Sequence, residues 1–202
     1  MTMIDRFYPV VPDADWVARL VPMGARFIQL RIKDQPDEEL RRQVRAAKAV
    51  CAAHGADLVV NDYWRIAIDE KCSWVHLGQE DLADADVKAI RHAGLLLGVS
   101  THDHAELEKG LAADPDYVAL GPIYPTLLKK MPWTPQGLER IGEWKKLIGN
   151  KPLVAIGGLT VERATLCLAA GADSAAVVGD IVNHADPTGQ TRAWLAATRV
   201  PA

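Results

Sequence analysis

The sequence predicts a closed parallel (β/α)₈ barrel, because a short apolar run followed by a helical pattern recurs eight times with little between the repeats. The runs are rich in Val, Ile and Leu and bounded by Gly, Asp, Pro or His, as strands covered on both faces should be. Over 202 residues this leaves about 25 residues per unit, near the small end for the architecture. The expected organisation is one domain spanning residues 1–202.

The first run is Phe7 to Val11. The second, Phe27 to Lys33, alternates with period two, so Gln29, Arg31 and Lys33 share one face and Leu30 and Ile32 the other. The apolar face must meet the surrounding helices. Two cations and an amide therefore turn into or above the barrel mouth, where unpaired charge is costly and an anion is expected. The alternative is a strand at a solvated edge with its polar face in water. The pattern from Asp37 to His54 repeats apolar residues at three and four positions and predicts a long helix.

The third run, Asp57 to Asp62, ends in Asn61 and Asp62, and the fourth, Trp74 to Gly78, is followed by Gln79, Glu80 and Asp81. Asp62 and Asp81 thus follow adjacent strands at the same end. Two hard oxygen donors facing a cationic strand suit Mg²⁺ held by carboxylates and substrate phosphate oxygens. Each aspartate could instead cap the helix that follows it.

The fifth run, Leu95 to Thr101, delivers Ser100, and the sixth, Tyr117 to Ile123, leads to Thr126, Lys129 and Lys130. The hydroxyls can donate to phosphate and Lys129 can close over one; a cap for Ser100 and a solvated loop for the lysines are the alternatives. A second helix is expected over Thr134 to Ile148. The seventh run, Pro152 to Gly158, and the eighth, Ser174 to Ile181, carry Gly157, Gly158 and Gly179. Glycines there let backbone N–H groups approach a phosphate, and the loops after strands seven and eight are the usual phosphate site of this architecture. Tight strand-to-helix turns would also use them. His76, His102 and His104 form no spacing that demands a metal or acid/base role and read as hydrogen-bonding residues. Trp133, Trp144 and Trp194 fall in or near helical patterns and read as packing.

The formal net charge of −3 and pI near 6.1 argue against a nucleic-acid or anionic-membrane surface. Cys51, Cys72 and Cys167 form neither a CxxC nor a Cys/His pattern, which fits a reducing compartment. No signal peptide is read at the start, and no apolar stretch approaches the roughly 20 residues that span a bilayer. A soluble, cytoplasmic protein is expected.

Six segments carry a family resemblance: Gln29 to Lys33, Val60 to Asp62, His76 to Asp81, Gly98 to His102, Asp116 to Thr126, and Val154 to Gly158. In order they resemble the motifs of the thiamine phosphate synthases, over a stretch from about Phe7 to Ala197. The resemblance implies a condensation of hydroxymethylpyrimidine diphosphate with a thiazole phosphate, giving thiamine phosphate and pyrophosphate, with Mg²⁺ as cofactor. It implies that Gln29, Arg31, Lys33, Asn61, Ser100 and Lys129 hold the pyrimidine diphosphate and that Asp62 and Asp81 hold the metal. Thr126, Gly158, Val178 and Gly179 would hold the thiazole phosphate, and Arg31, Lys33, Ser100 and Lys129 would act on the departing charge. The implied chemistry is dissociative, and the Ile123 to Gly137 loop is expected to serve as a lid that keeps water out.

Three positions depart from the family pattern: Leu128 replaces a usual second threonine, Gly179 a common serine, and Tyr63 a frequent arginine. The first two fall on the thiazole side. A related thiazole tautomerase shares the barrel but typically carries a catalytic histidine where this chain has Gly121-Pro122-Ile123; a non-catalytic phosphate-binding barrel would need no metal pair. The expected partners are small-molecule substrates, and a homodimer is compatible with the sequence.

Overall fold

The computed structural model describes residues 4–126 and 133–199. Eight parallel strands close into a barrel in sequential order: β1 Phe7–Val11, β2 Phe27–Leu30, β3 Asp57–Asn61, β4 Trp74–Leu77, β5 Leu96–Thr101, β6 Tyr117–Leu120, β7 Leu153–Ile156 and β8 Ser174–Val177. The seam is made by Phe7, Tyr8 and Pro9 pairing with Ala175, Ala176 and Val177. The helices are α1 Ala14–Leu20, α2 Asp37–His54, α3 Trp64–Asp69, α4 Gln79–Asp84, α5 Val87–His92, α6 His104–Ala112, α7 Glu139–Ile148, α8 Val161–Ala169, α9 Gly179–Val182 and α10 Pro187–Arg199.

The expected barrel is present, and α2 has the expected bounds. Asp37, Glu38 and Glu39 oppose the positive end of its dipole, Leu40, Val44, Ala47 and Cys51 make its buried stripe, and Gly55 closes it in the left-handed conformation at φ 62°. Other boundaries differ. β2, β6, β7 and β8 are shorter than the apolar runs, because at the barrel mouth the chains diverge and the ladder runs out of partners. The last β1–β2 bond is donated by Arg31 N to Val11 O at 2.8 Å. The eighth run stops at Val177: Val178 turns to φ −120°, ψ −83° and Gly179 opens the short α9, so Val178 and Gly179 belong to a strand-to-helix turn. α7 begins at Glu139, not Thr134. Gln136 N and Gly137 N donate to Pro122 O and Ile123 O, tying this stretch to the exit of β6.

Period-two alternation sorts the strand residues into two layers. Val11, Ile28, Leu30, Val60, Val75, Leu77, Leu97, Val99, Val118 and Leu120 face the helices within the larger core. Tyr8, Val10, Phe27, Val59, Trp74, Tyr117, Ala119, Val154 and Ala176 fill the lumen. At its base Tyr8, Phe27, Trp74 and Tyr117 form an aromatic plug, with ring centroids 4.5–6.0 Å apart. Gly98 on β5 makes the plug fit: a Cβ there would lie 2.0 Å from Tyr117 Cζ. Above the plug the lumen opens into the mouth.

Candidate functional site

The cavity at the carboxyl ends of the strands has a volume of about 900 Å³ and is walled by the lumen-facing residues and the strand-to-helix loops. Each strand contributes by its register. β2 gives Gln29 and, just beyond its end, Arg31 and Lys33; β3 gives Asn61 and, just beyond its end, Asp62; β4 gives His76; and β5 gives Ser100. Gln29 is buried, whereas Arg31 and Lys33 stand exposed at the rim and Ile32 packs into the core. The alternation read for this segment therefore continues past the ladder, with all three polar residues on the cavity side.

Lys33 Nζ lies 2.5 Å from Asp62 Oδ2, and Asp62 hydrogen-bonds in turn to Asp81. Burial first, and then the neighbouring Asp62, raises the Asp81 carboxyl above its usual value. Two acidic groups in contact favour a shared proton or a cation, and Lys33 supplies part of that compensating charge. Asp62 does not cap a helix: α3 has Tyr63 at its N-cap and no side-chain cap bond. It holds φ 64°, a left-handed conformation that Asp tolerates better than most residues and that recurs at functional sites. Asp81 sits in the first turn of α4, whose N-cap is Gly78. Among the described residues no cluster of three or more His, Cys, Asp or Glu could hold a metal. The protein would thus offer a pair of carboxylates, which suits Mg²⁺ completing its shell with substrate oxygens and water.

Asn61 is 5% exposed, and its Nδ2 is, among the described residues, a buried side-chain donor with no hydrogen-bond partner. Such a group costs about 1–3 kcal/mol unless something fills the place in front of it. Beside it, His76 Nε2 meets Ser100 Oγ at 2.8 Å and its Nδ1 meets the Tyr117 hydroxyl at 2.7 Å. Burial pushes the His76 imidazole down to about 4, against the opposing pull of Asp62, so the ring is neutral at ordinary pH. The helix after β5 is capped by Asp103, not Ser100.

On the opposite wall, Gly157 and Gly158 both have positive φ, at 101° and 64°. A Cβ on Gly158 would lie 2.4 Å from Pro125 O, so close approach of the loops after β6 and β7 already requires this glycine. Thr126, Gly158, Val178 and Gly179 line this side together. Lys129, with Leu128 and Lys130, lies outside the described residues, as does the middle of the Ile123 to Gly137 loop.

Several cavity residues were not singled out in the sequence. Tyr8 reads there as part of an apolar run, yet its hydroxyl accepts from Gln29 Nε2 at 2.7 Å; the period-two pattern of β1 was the available signal. Trp133 differs from the helix packing expected of it: it stacks on His102 at 4.0 Å on the rim. Trp144 and Trp194 are core residues, donating to Thr101 Oγ1 at 2.9 Å and Asp180 Oδ2 at 2.7 Å. His104 sits away from the cavity and pairs with Glu143.

A sequence model of the thiamine monophosphate synthase family matches residues 7–181. The thiamine-phosphate synthase of Rhizobium etli is 62% identical over 195 residues, covering 96% of each chain. That of Salmonella dublin is 50% identical over 191 residues, covering 95% of this chain and 87% of the relative. In structure, thiamine phosphate pyrophosphorylase from Pyrococcus furiosus superposes with a TM-score of 0.84 at 24% identity, covering 96% and 95% of the two chains, which supports the fold. With a match across most of its length and relatives this similar, the chain belongs to the thiamine monophosphate synthase family.

Proposed function

We propose that this protein joins a hydroxymethylpyrimidine diphosphate to a thiazole phosphate, forming thiamine phosphate and releasing pyrophosphate. The observation that carries the reading is the juxtaposition at one mouth of Arg31 and Lys33, the touching pair Asp62 and Asp81, and the unpartnered Asn61 amide. A pyrimidine diphosphate with a divalent cation would satisfy all three at once.

In this reading the bond between the pyrimidine methylene carbon and the diphosphate oxygen breaks first, and both its electrons leave with the diphosphate. The thiazole nitrogen then donates its lone pair to the resulting carbocation. Asp62 and Asp81 would hold Mg²⁺, which would supply charge neutralisation to the diphosphate. Arg31, Lys33, Ser100 and, from outside the described residues, Lys129 would meet the charge that develops on the leaving group. Gln29 and Asn61 would orient the pyrimidine half. Thr126, Gly158, Val178 and Gly179 would seat the thiazole phosphate beside it, converting a two-substrate encounter into a fixed geometry. No nucleophilic side chain is needed. The three cysteines are buried and unpaired, with their thiols raised to about 12, 11 and 11 for Cys51, Cys72 and Cys167. That state suits a reducing cytoplasm, and no described helix is long and apolar enough to cross a membrane.

The test is a coupled pyrophosphate assay. Release is expected only when the pyrimidine diphosphate, the thiazole phosphate and Mg²⁺ are all present. No release with fresh substrates would remove the assignment, and ligand binding without Mg²⁺ or turnover would favour a non-catalytic barrel.

A further inference from the structure

We propose that Tyr8, Tyr117 and His76 are positioning residues: a buried hydrogen-bond chain anchored on the Gln29 amide fixes the proton of His76 on Nε2, and this turns the Ser100 hydroxyl proton into the cavity. The identity of what receives that proton rests on the synthase reading; the direction of the chain does not.

The chain crosses the lumen through the hydroxyls of the plug residues Tyr8 and Tyr117 in four steps. Gln29 Nε2 lies 2.7 Å from the Tyr8 hydroxyl, Tyr8 2.8 Å from the Tyr117 hydroxyl, Tyr117 2.7 Å from His76 Nδ1, and His76 Nε2 2.8 Å from Ser100 Oγ. An amide nitrogen can only donate, so Tyr8 accepts from Gln29. Tyr8 is buried and Tyr117 is, among the described residues, the one remaining partner for its O–H, so Tyr8 satisfies its proton by donating to Tyr117, and Tyr117 in turn donates to Nδ1. A neutral imidazole that accepts at Nδ1 carries its proton on Nε2 and donates it to Ser100 Oγ. Ser100, accepting there, keeps its own proton for something else. The cavity lies on that side.

The members cannot easily rearrange. Gln29, Tyr8, Tyr117 and His76 are all at most 7% exposed, so no water competes for the bonds. Tyr117 is wedged against Gly98, and the His76 ring stacks on it at 5.6 Å and 15°. The opposite direction would require Gln29 to present its oxygen to Tyr8, and Ser100 would then offer the cavity only lone pairs. An anion needs the proton.

In the synthase the recipient is an oxygen of the departing diphosphate. Losing a donor of this kind lowers turnover by about 10²–10³, and that is the loss expected for Ser100→Ala. Tyr117→Phe removes the hydroxyl that holds Nδ1 and lets Ser100 reverse, so turnover is expected to fall about tenfold with KM little changed.

Two measurements decide the matter. Nitrogen NMR of the full-length protein with ¹⁵N-labelled histidine, with His76 identified by its loss in His76→Gln, should show a protonated Nε2 and a bare Nδ1. A proton on Nδ1, or a mixture of both forms, would overturn the proposal whether or not the protein is a synthase. The second is a double-mutant cycle on pyrophosphate release, with melting temperatures recorded alongside. Ser100→Ala with Tyr117→Phe should be no slower than Ser100→Ala alone, because the chain acts through Ser100. Multiplying losses, or a Tyr117→Phe effect confined to melting temperature or KM, would overturn it. If Tyr117→Phe does not fold, Tyr8→Phe interrupts the same chain. A parent protein that releases no pyrophosphate at all would sink the synthase reading while the NMR arm still reports on the chain.

Discussion

Asp62→Asn separates the chemical role of the carboxylate from its structural one. The structural loss is the contact with Lys33 at 2.5 Å, and the Lys33 side chain is 46% exposed. Asp62 is the more buried partner, with its side chain 12% exposed, and the open Lys33 end keeps the pair to about 1 kcal/mol. Against that, asparagine accepts the left-handed backbone at φ 64° as readily as aspartate, and the crowding against Asp81 is relieved. The net change should stay within about 1 kcal/mol, or about 2–4 °C in melting temperature for a chain of this size. Catalysis should suffer far more. Removing one preorganised charge partner of the leaving group lowers kcat by about 10²–10³, equivalent to about 2.7–4 kcal/mol. The comparison needs the coupled pyrophosphate assay at saturating Mg²⁺ and a thermal melt of the same preparations. Parent-like turnover would refute the reasoning and leave Asp62 as a residue that merely holds Lys33 and its loop.

Other substitutions test the scaffold and the pyrimidine side. Asn61→Leu exchanges an unpartnered buried amide for an apolar group of similar size, so the melting temperature should hold or rise while the pyrimidine diphosphate Kd, measured by calorimetry, rises at least about tenfold; unchanged affinity would remove Asn61 from the site. Gly98→Ala would place a Cβ 2.0 Å from Tyr117 Cζ, an overpacking expected to cost about 3 kcal/mol and so about 6–12 °C, and a melting curve that superimposes on the parent's would contradict the lumen packing. Thr101→Val strips the hydroxyl that accepts from Trp144 Nε1 and donates to Ala119 O, both at 2.9 Å. With a buried indole N–H left unpaired, urea unfolding should show a loss of about 1–3 kcal/mol.

What could be read in the sequence was set by period and by end. The alternation from Gln29 to Lys33 reports a physical constraint, since Leu30 and Ile32 must face the helices, and it held even where the ladder had stopped. The same rule brings Asn61, His76 and Ser100 to one mouth, because parallel strands in register end together. The ends themselves were harder to read. Val178 is as apolar as the strand before it, and only its backbone turn at ψ −83° separates the two. Tyr8 and Tyr117 were hidden for a different reason: a tyrosine in an apolar run counts as packing, and its hydroxyl acquires a role only when tertiary structure brings it a partner from 109 residues away. Trp133 was misread because nearby helical spacing outweighed Pro135 and Gly137, which delay the helix and leave the indole at the rim beside His102.

At the centre of the proposed site is a cation shared between two strand ends and a diphosphate. A crystal structure with Mn²⁺ and a non-hydrolysable pyrimidine diphosphate analogue, read by its anomalous signal, addresses that directly. One metal peak is predicted between Asp62 and Asp81 and in contact with the diphosphate, with Arg31 and Lys33 on the same phosphate oxygens. A peak elsewhere, or an analogue bound on the far wall with the two carboxylates still sharing a proton, would contradict it.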